Sequence, residues 1–322
     1  MPRCRRRCGT VPCVDELTEQ ALAHLRRDGR ASFSDIARQL GTNRTNIAKR
    51  LNPLLTSGDI RVVAAIHPRI LGLTVLAHLT LRAEGDLGEL ADRICELNSP
   101  VFVSEIAGNY QLIAELHTAS MAELHADVHS IRSLPGVIEV HVMIYERMLK
   151  SFFLGEEPQV IDLGLDEADL HLMELLQRDG RMGYAELSEQ VGLSISGCRT
   201  RLNRLTETGA MQIGLVRRRI SIEGELVFGF GFSTVGSYDR LVALIEGEPG
   251  LEFMARTVGR FDIVATITFG TLPEFNEFMA TVRGFKEVRV AEQWMHAQIR
   301  KERYQHSLNR IHGGLTAISE SA

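Results

Sequence analysis

One internal repeat restricts the fold of this chain more than any other feature. Residues 14–60 and 165–211 align without a gap at an offset of 151 residues, with 14 identical positions. Both segments contain the tetrapeptide "RDGR" and the triplet "RLN". The same offset holds further along, where "AGNYQLIAEL" at 107–116 falls on "VGRFDIVATI" at 258–267. A register kept over this distance predicts a duplicated unit with two parts.

The first part of each copy has the pattern of three short helices followed by a β-ribbon. In the first copy, Gly29 is predicted to end the first helix in the left-handed conformation. Ser34 is predicted to cap the second helix, and Asn43 begins the third, which Gly58 closes. Two short helices joined by a glycine turn, the second polar at its start, predict a winged helix-turn-helix.

The third helix carries basic and amide side chains away from its apolar stripe. In a helix-turn-helix, the second helix of the motif enters the DNA major groove and its N-terminal side chains meet base edges. An ordinary solvated face is the alternative for an isolated helix, but here the pattern occurs twice. The residues predicted to contact DNA are Asn43, Arg44, Thr45, Asn46, Lys49 and Arg50 in the first copy and Ser194, Ser196, Arg199, Thr200, Arg201 and Arg204 in the second.

The two copies differ in charge. Residues 14–69 contain nine basic and six acidic side chains, whereas residues 165–220 contain eight of each. Three of the eight basic side chains in the second segment form the run Arg217–Arg219, at the position where a winged motif has its β-ribbon. We therefore expect the first copy to contact DNA more strongly, and the second to bind weakly or to serve assembly. Paired recognition helices favour a near-palindromic site with half-sites roughly 34 Å apart.

The second part of each copy predicts the order βαββαβ, an antiparallel sheet with two helices on one face. The last strand of the first copy, "VIEVHVMIY", places Ile138, Val140, Val142 and Ile144 on one face. One face of such a sheet is left uncovered, and an apolar uncovered face marks a partner surface. A duplicated chain can pair its two sheets internally.

These patterns predict an α+β chain in which two winged helix-turn-helix domains alternate with two ferredoxin-like sandwich domains. The predicted boundaries are a flexible basic tail at 1–13, a first helix-turn-helix at 14–69, a first sandwich at 70–153, a linker at 154–164, a second helix-turn-helix at 165–222, a second sandwich at 223–300 and a C-terminal tail at 301–322.

The composition fits a soluble globular protein and gives no sign of a cofactor. Hydrophobic residues make up 44% of the chain, and no apolar run is long enough to span a membrane. The N-terminal stretch lacks the apolar core of a secretory signal, so a cytoplasmic location is expected. Cys4, Cys8 and Cys13 in the tail have no C-x-x-C spacing and no nearby histidine. No disulfide framework, metal site or cofactor is therefore predicted.

Two helix-turn-helix segments, each followed by βαββαβ, resemble the Lrp/AsnC family of bacterial and archaeal regulators, often called feast/famine regulators. The stretches that carry the resemblance are "LDEADLHLMELLQRDGR", "ELSEQVGLSISGCRTRLNRL", "AGNYQL" and "VGRFDIV". Members of the family carry one copy per chain and dimerise through the ferredoxin-like (RAM) domain. This chain is similar to two members fused head to tail.

The resemblance implies double-stranded DNA as one partner, a small effector such as an amino acid as another, and self-association into a homo-oligomer through the ferredoxin-like domains. It places the effector at the glycine turns. Arg260 is expected to hold a carboxylate and Asp262 an ammonium group, whereas Gln111 replaces the acid in the first copy. The predicted effector-binding residues are Gly108, Asn109, Tyr110, Gln111, Gly259, Arg260 and Asp262.

Two other functions stay open at this point, although the prediction is that the chain is not an enzyme. Sirohaem decarboxylases also contain two Lrp/AsnC-like halves, and they use a pattern similar to H-N-Y-x-R. The nearest stretch here, "EIAGNYQLIAEL", lacks that histidine and arginine. A regulator that has lost its sensing function and acts as an architectural DNA-binding protein is the other alternative.

Overall fold

The computed structural model describes residues 15–151, 163–217, 226–303 and Leu308. Two units follow one another with the same order of elements. The elements of the first unit are α1 (Glu16–Arg27), α2 (Phe33–Gln39), α3 (Arg44–Ser57), β1 (Ile60–Ile66), β2 (Val75–Ala83), α4 (Leu87–Glu96), β3 (Pro100–Ala107), β4 (Leu112–Thr118), α5 (Met121–Arg132) and β5 (Val137–Ser151). Those of the second unit are α6 (Glu167–Arg178), α7 (Tyr184–Val191), α8 (Ile195–Glu207), β6 (Met211–Arg217), β7 (Leu226–Thr234), α9 (Asp239–Glu246), β8 (Leu251–Val258), β9 (Ile263–Phe269), α10 (Leu272–Arg283) and β10 (Val288–Glu302). The predicted α+β class with alternating domains is confirmed.

Several predicted features fall outside the described residues. These are the tail at 1–13, most of the linker at 154–164, Arg218 and Arg219 of the basic run, and most of the segment at 301–322.

Two local predictions in the first helix-turn-helix are wrong. The cap of α2 is Ser32 rather than Ser34, because Ser32 is extended and its hydroxyl accepts the Asp35 amide at 3.1 Å. Gly29 does not take the left-handed conformation, since α1 ends at Asp28 in extended backbone. Gly29 is needed for a different reason: a Cβ there would lie 2.9 Å from the Ile213 carbonyl oxygen of β6.

The strand after each helix-turn-helix pairs with its counterpart in the other copy. β1 and β6 form an antiparallel two-stranded sheet from the pair Ile60–Arg217 to the pair Ile66–Met211. The predicted ribbon is therefore shared, and the described residues of each copy supply one strand to it. One apolar core runs through both helix-turn-helix domains and includes Ile47, Leu51, Cys198, Leu202 and Leu308. The two domains thus pack as one body.

The two sandwiches also join, by closing their sheets into one barrel. The strand order around the barrel is β10-β3-β4-β2-β5-β8-β9-β7. β5 pairs with β8 and β10 pairs with β3, so the long last strand of each copy crosses to the other copy. The internal pairing of the two sheets, expected for a duplicated chain, is what the structure shows.

Each sandwich keeps its own core between sheet and helices. The first includes Leu79, Ile94 and Ile131, and the second is built around Phe230 and Phe278.

One expected core position differs. Ile138 is 52% exposed, whereas Val140 is buried. The register between β2 and β5 shifts between Arg82 and Ala83, and this irregularity turns Ile138 away from the core.

Candidate functional site

The first turns of α3 form an exposed, basic surface. Asn43 caps the helix by accepting the Asn46 amide at 2.9 Å, so the helix starts at a defined residue. Ile47 and Leu51 are buried beneath it. Arg44, Thr45 and Lys49 are exposed on the opposite side, together with Asn43. Four of the six predicted DNA-contacting residues of this helix are therefore open to a ligand.

The other two predicted residues of α3 are engaged within the fold. Arg50 binds the carboxylate of Asp15, with its Nη2 atom 2.9 Å from Oδ2. Asn46 accepts a hydrogen bond from Arg50 and donates one to the Thr42 hydroxyl at 2.9 Å. The hydrogen bonds from Arg50 and Thr18 lower the pKa of Asp15 to about 2. Arg50 thereby holds α3 against the cap of α1.

The equivalent helix α8 exposes fewer cations. Ser194 caps it by accepting the Gly197 amide at 3.0 Å and lies 3.1 Å from the Ser196 hydroxyl. Arg199 and Thr200 are exposed, as is Ser196. The guanidinium of Arg199 lies 5.1 Å from the centre of the Tyr184 ring, a cation–π contact.

Two further arginines of α8 neutralise a buried acid. Arg201 binds Asp169 at 2.9 Å and Asp166 at 2.7 Å, and Arg204 also pairs with Asp169. The side chain of Asp169 is only 1% exposed. The hydrogen bonds to Asp169 and Asp166 raise the pKa of Arg201. Arg201 and Arg204 thus neutralise a buried carboxylate of α6, whereas Thr18 stands at the position of Asp169 in the first copy.

The last arginine of each "RDGR" joins the two domains, a contact that the sequence analysis did not predict. Arg30 donates to the carbonyls of Gly180 at 2.8 Å and Met182 at 3.0 Å. Arg181 donates in return to the carbonyls of Gly29 at 2.7 Å and Ala31 at 3.1 Å. The occurrence of "RDGR" in both copies was the only signal for this reciprocal contact. It fixes α3 and α8 relative to each other.

Each glycine turn of the sandwiches is held by its own polar side chain. Gln111 accepts the Ala83 amide at 3.0 Å, and Asp262 accepts the equivalent Thr234 amide at 2.7 Å. The carboxylate predicted to hold an ammonium group is thus already an acceptor for the sheet.

The two turns meet through Arg260. Its Nη1 atom donates to the Tyr110 hydroxyl at 2.9 Å, and its Nη2 atom pairs with Glu292. Its guanidinium lies 5.4 Å from the Tyr110 ring centre and 5.1 Å from that of Phe261. The structure therefore brings residues of both predicted turns together. The guanidinium of Arg260, which was predicted to bind the carboxylate of an effector, is already paired with the carboxylate of Glu292.

Gly108, Asn109 and Gly259 are exposed beside this contact. Gly259 has a φ of +146°, which favours glycine, and a Cβ there would approach the Met143 side chain at 3.0 Å.

The interior of the barrel contains a polar cluster that the sequence analysis missed. Tyr145 donates to Glu115 at 2.9 Å and lies 3.2 Å from Nδ1 of His78. Burial and the charge of Glu115 raise the pKa of Tyr145 well above its usual value. Among the described residues, Nε2 of His78 and Nε1 of Trp294 are buried without a hydrogen-bond partner. Pairing of β2 with β4 and β5 brings His78, Glu115 and Tyr145 together within the first copy. Trp294 comes from β10 of the second copy, so sequence spacing gave no signal for the cluster.

The described ranges contain neither a candidate membrane span nor a candidate metal cluster. No helix there is long and apolar enough to cross a membrane. No cluster of three or more histidine, cysteine, aspartate or glutamate residues in the same part of the chain is arranged to hold a metal ion.

Comparison with protein families gives matches in both helix-turn-helix domains. The family model described as the AsnC-type helix-turn-helix domain matches residues 14–55 and 165–206. The model described as the Lrp/AsnC ligand binding domain matches residues 74–152. Together these matches cover about half of the chain.

Similar curated proteins match roughly one copy of the repeat. "HTH-type transcriptional regulator FL11" of Pyrococcus abyssi is 30% identical over 133 residues, which are 41% of this chain and 88% of that protein. "HTH-type transcriptional regulator Zrp" of Zymomonas mobilis is 31% identical over 105 residues, which are 31% of this chain and 69% of that protein.

A solved structure matches the chain along nearly its whole length. It is described as the crystal structure of the siroheme decarboxylase NirDL, with a TM-score of 0.62 and 15% identity. The match covers 95% of this chain and 100% of that chain. At this identity the likeness shows a shared fold, with two units joined in one chain.

Proposed function

Because the chain belongs to the Lrp/AsnC family of helix-turn-helix transcriptional regulators, we propose that it binds double-stranded DNA sequence-specifically and that a small metabolite, an amino acid or a related compound, modulates this binding. The observation that carries the proposal is the open basic face of α3. Arg44 and Lys49 stand outward there, beside Asn43 and Thr45, on a helix braced by a buried apolar stripe.

The side chains on this face have the chemistry that base edges require. Arginine and lysine donate to the acceptors of guanine, and asparagine can bind adenine with both ends of its amide. Contacts to phosphates add affinity that does not depend on sequence and falls steeply as salt is raised.

A binding titration tests the proposal. Duplexes enriched from a random library by the full chain would be labelled, and fluorescence anisotropy would measure the Kd at several salt concentrations. Arg44→Ala with Lys49→Ala is expected to weaken binding by on the order of ten-fold or more. Arg38→Ala is the matched control, since Arg38 is an exposed arginine on α2 that pairs with Asp35. Unchanged affinity in the double variant, or an equal loss in the control, would contradict α3 as the DNA-reading helix.

The effector part of the proposal rests on the junction of the two glycine turns. Arg260 links Tyr110 of one turn to Glu292 of the opposite sandwich, so a ligand there would contact both halves of the barrel. A carboxylate-bearing effector would compete with Glu292 for this guanidinium.

Scanning fluorimetry against a panel of amino acids tests the effector site. A ligand that binds the folded chain raises Tm by linkage. We expect one or more compounds to raise Tm in the wild type and not in Arg260→Ala. A panel in which no compound raises Tm, together with DNA binding that none of them changes, would favour the architectural alternative.

Self-association through the sandwiches stays a prediction, but the surface that could mediate it differs from the one expected. The barrel uses the inner sheet faces within one chain, so a homo-oligomer would have to use other surfaces of these domains. Sedimentation velocity of the free chain and of its DNA complex measures the assembly size directly.

A tetrapyrrole-modifying enzyme is the second candidate. What favours it is the two-unit fold, together with the buried imidazole of His78 whose Nε2 has no hydrogen-bond partner among the described residues. What opposes it is the turn sequence, in which Gly108 and Leu112 stand where the H-N-Y-x-R pattern has histidine and arginine. Addition of sirohaem with an absorption scan distinguishes the two functions. A Soret shift that disappears in His78→Ala would favour the enzyme, and we expect none.

A further inference from the structure

We propose that this regulator reads a DNA site whose two halves differ, with guanine under α3 and a thymine methyl group under α8. The inference rests on the proposed DNA-binding function and deepens it. It departs from the near-palindromic site that a duplicated helix-turn-helix predicts.

The first step is that each chain presents one α3 and one α8 in a fixed relation. The β1–β6 sheet joins their domains over seven residue pairs. The Gly29 amide donates to the Ile213 carbonyl at 3.1 Å, and the Gly180 amide donates to the Val62 carbonyl at 2.9 Å. The reciprocal arginine contacts described above add four charged hydrogen bonds. The two recognition helices therefore keep one fixed relation to each other when the chain binds DNA.

The second step is that the equivalent outward positions carry different chemistry. Arg44 of α3 corresponds to Ile195 of α8, and both lie in the first turn. Ile195 is 48% exposed, so its apolar side chain is open to a ligand. Arginine binds guanine through O6 and N7, whereas an apolar side chain contacts the methyl group of thymine. The same position in the two helices therefore selects different bases.

A neighbouring position extends the difference. Lys49 corresponds to Thr200, and both are exposed. Lysine donates to guanine, while a threonine hydroxyl can pair with several bases. The first half-site therefore carries stronger base selection than the second.

The third step is that the remaining arginines of α8 do not restore the match. Arg201 and Arg204 pair with Asp169. Arg199 stacks on Tyr184 and stands where α3 has Ala48. A palindrome would require like side chains at like positions, and the described helices do not offer them.

The test begins with selection of duplexes from a random library by the full chain. We expect the enriched sites to contain two unlike halves, one with guanine and one with thymine at the positions under Arg44 and Ile195. Enriched sites made of two identical halves would overturn the inference while leaving DNA binding intact. A chain that enriches no duplex at all would overturn the proposed function and this inference together.

Removal of one methyl group from the DNA gives a more specific test. Deoxyuridine in place of thymidine removes only the 5-methyl group. In the second half-site this change is expected to weaken wild-type binding by several-fold, and in the first half-site it should have little effect. Equal effects in both halves would overturn the assignment of Ile195.

The matched variant is Ile195→Arg, which gives α8 the side chain that α3 has at this position. We expect it to favour guanine in the second half-site, to bind a palindrome of the first half on the order of ten-fold more tightly than the wild type, and to lose its sensitivity to deoxyuridine. Because Ile195 is exposed, the Ile195→Arg variant should have the same melting curve as the wild type. A folded variant with unchanged base preference would overturn the inference.

Discussion

Arg50 and Arg201 stand at equivalent positions of the two copies but pair with carboxylates in different surroundings. Arg50 binds Asp15, whose side chain is 52% exposed, whereas Arg201 binds Asp169, whose side chain is 1% exposed. Thr18 replaces Asp169 in the first copy. The duplication thus kept an arginine that holds the recognition helix to the preceding helix. It placed a buried charge in one copy only, and that copy needs more of its cations for folding.

The barrel shows a second difference of the same kind. His78 and Thr80 of β2 correspond to Gly229 and Gly231 of β7. A Cβ at Gly229 would lie 1.9 Å from the Trp294 indole, and one at Gly231 would lie 2.3 Å from the Phe261 ring. One half of the barrel fills its interior from the strand itself, and the other fills it with aromatic rings from neighbouring segments. Pseudo-symmetric backbones therefore do not imply equivalent interiors or surfaces.

The largest expected effect on stability comes from removing the arginines that pair with Asp169, compared with removing Arg50. Arg201→Ala with Arg204→Ala should lower the free energy of unfolding by about 3 kcal/mol, because the Asp169 carboxylate stays buried without a cation to neutralise it. Arg50→Ala should cost less, since Asp15 keeps its contact with water. Urea unfolding followed by circular dichroism measures both variants. Equal losses would mean that the two pairs have the same role.

The next effect concerns the barrel interior. Gly231→Thr, which copies Thr80 into the second half, should lower the free energy of unfolding by about 1–3 kcal/mol through overpacking against Phe261. Thr80→Val is the control, because its buried hydroxyl has no partner among the described residues and the shape is kept. Thermal melts report both changes. A stable Gly231→Thr chain would show that the Phe261 ring can move aside.

The next effect concerns Arg30 and Arg181, which make equivalent hydrogen bonds in the two copies. Arg30→Ala and Arg181→Ala should each lower the free energy of unfolding by about 1–2 kcal/mol, through the loss of two charged hydrogen bonds to carbonyls. DNA binding should weaken in both, since the spacing of α3 and α8 is no longer fixed. A loss confined to one variant would show that the contact is symmetric in geometry but not in energy.

The smallest expected effect is on how stability depends on pH. The pKa of Asp15 is lowered from 3.8 to about 2 in the folded chain. A carboxyl group with a lower pKa in the folded state adds stability above pH 3.8 and loses that contribution as pH falls through about 2. Asp15→Asn should therefore show a shallower loss of stability over this window in urea titrations at stepped pH. A curve parallel to that of the wild type would mean that Arg50 does not stabilise the ionised form.

Much of the fold could be predicted because it depends on local patterns. The repeat at a fixed offset, the helical spacing of apolar residues and the alternation in strands placed the described α-helices and strands in the right order. The local errors were at Ser34, Gly29 and Ile138. Ser32 and Ser34 fit a helix cap equally well, and Gly29 follows the helix where a left-handed cap is common. Ile138 lies at a register shift that alternation does not reveal. At Gly29 the deciding contact is the Ile213 carbonyl, far away in the chain.

The candidate site was predicted less completely, because composition does not show which charges are already paired. Arg50, Arg201 and Arg204 have the right spacing for a DNA-facing surface, yet each lies within hydrogen-bonding distance of a carboxylate from an earlier helix. Asp262 likewise has the expected position in its turn but accepts an amide of β7. Arg44 and Lys49 could be predicted correctly as exposed because no acid stands between Asp35 and Asp59 in the sequence, and no carboxylate of the described residues pairs with them.

The sequence by itself determined that this chain contains two copies of a helix-turn-helix and a βαββαβ sandwich, since both the repeat and the periodicities are properties of neighbouring residues. Only the tertiary structure decided that the copies share one ribbon, one core and one barrel. It also decided that Arg44 and Ile195 face outward at equivalent positions while Arg201 and Arg204 serve a buried acid. The physical reason is that pairing between copies depends on contacts about 150 residues apart, which no local pattern encodes. The burial of Asp169 depends on contacts with arginines 32 and 35 residues further along the chain, beyond the reach of helical periodicity.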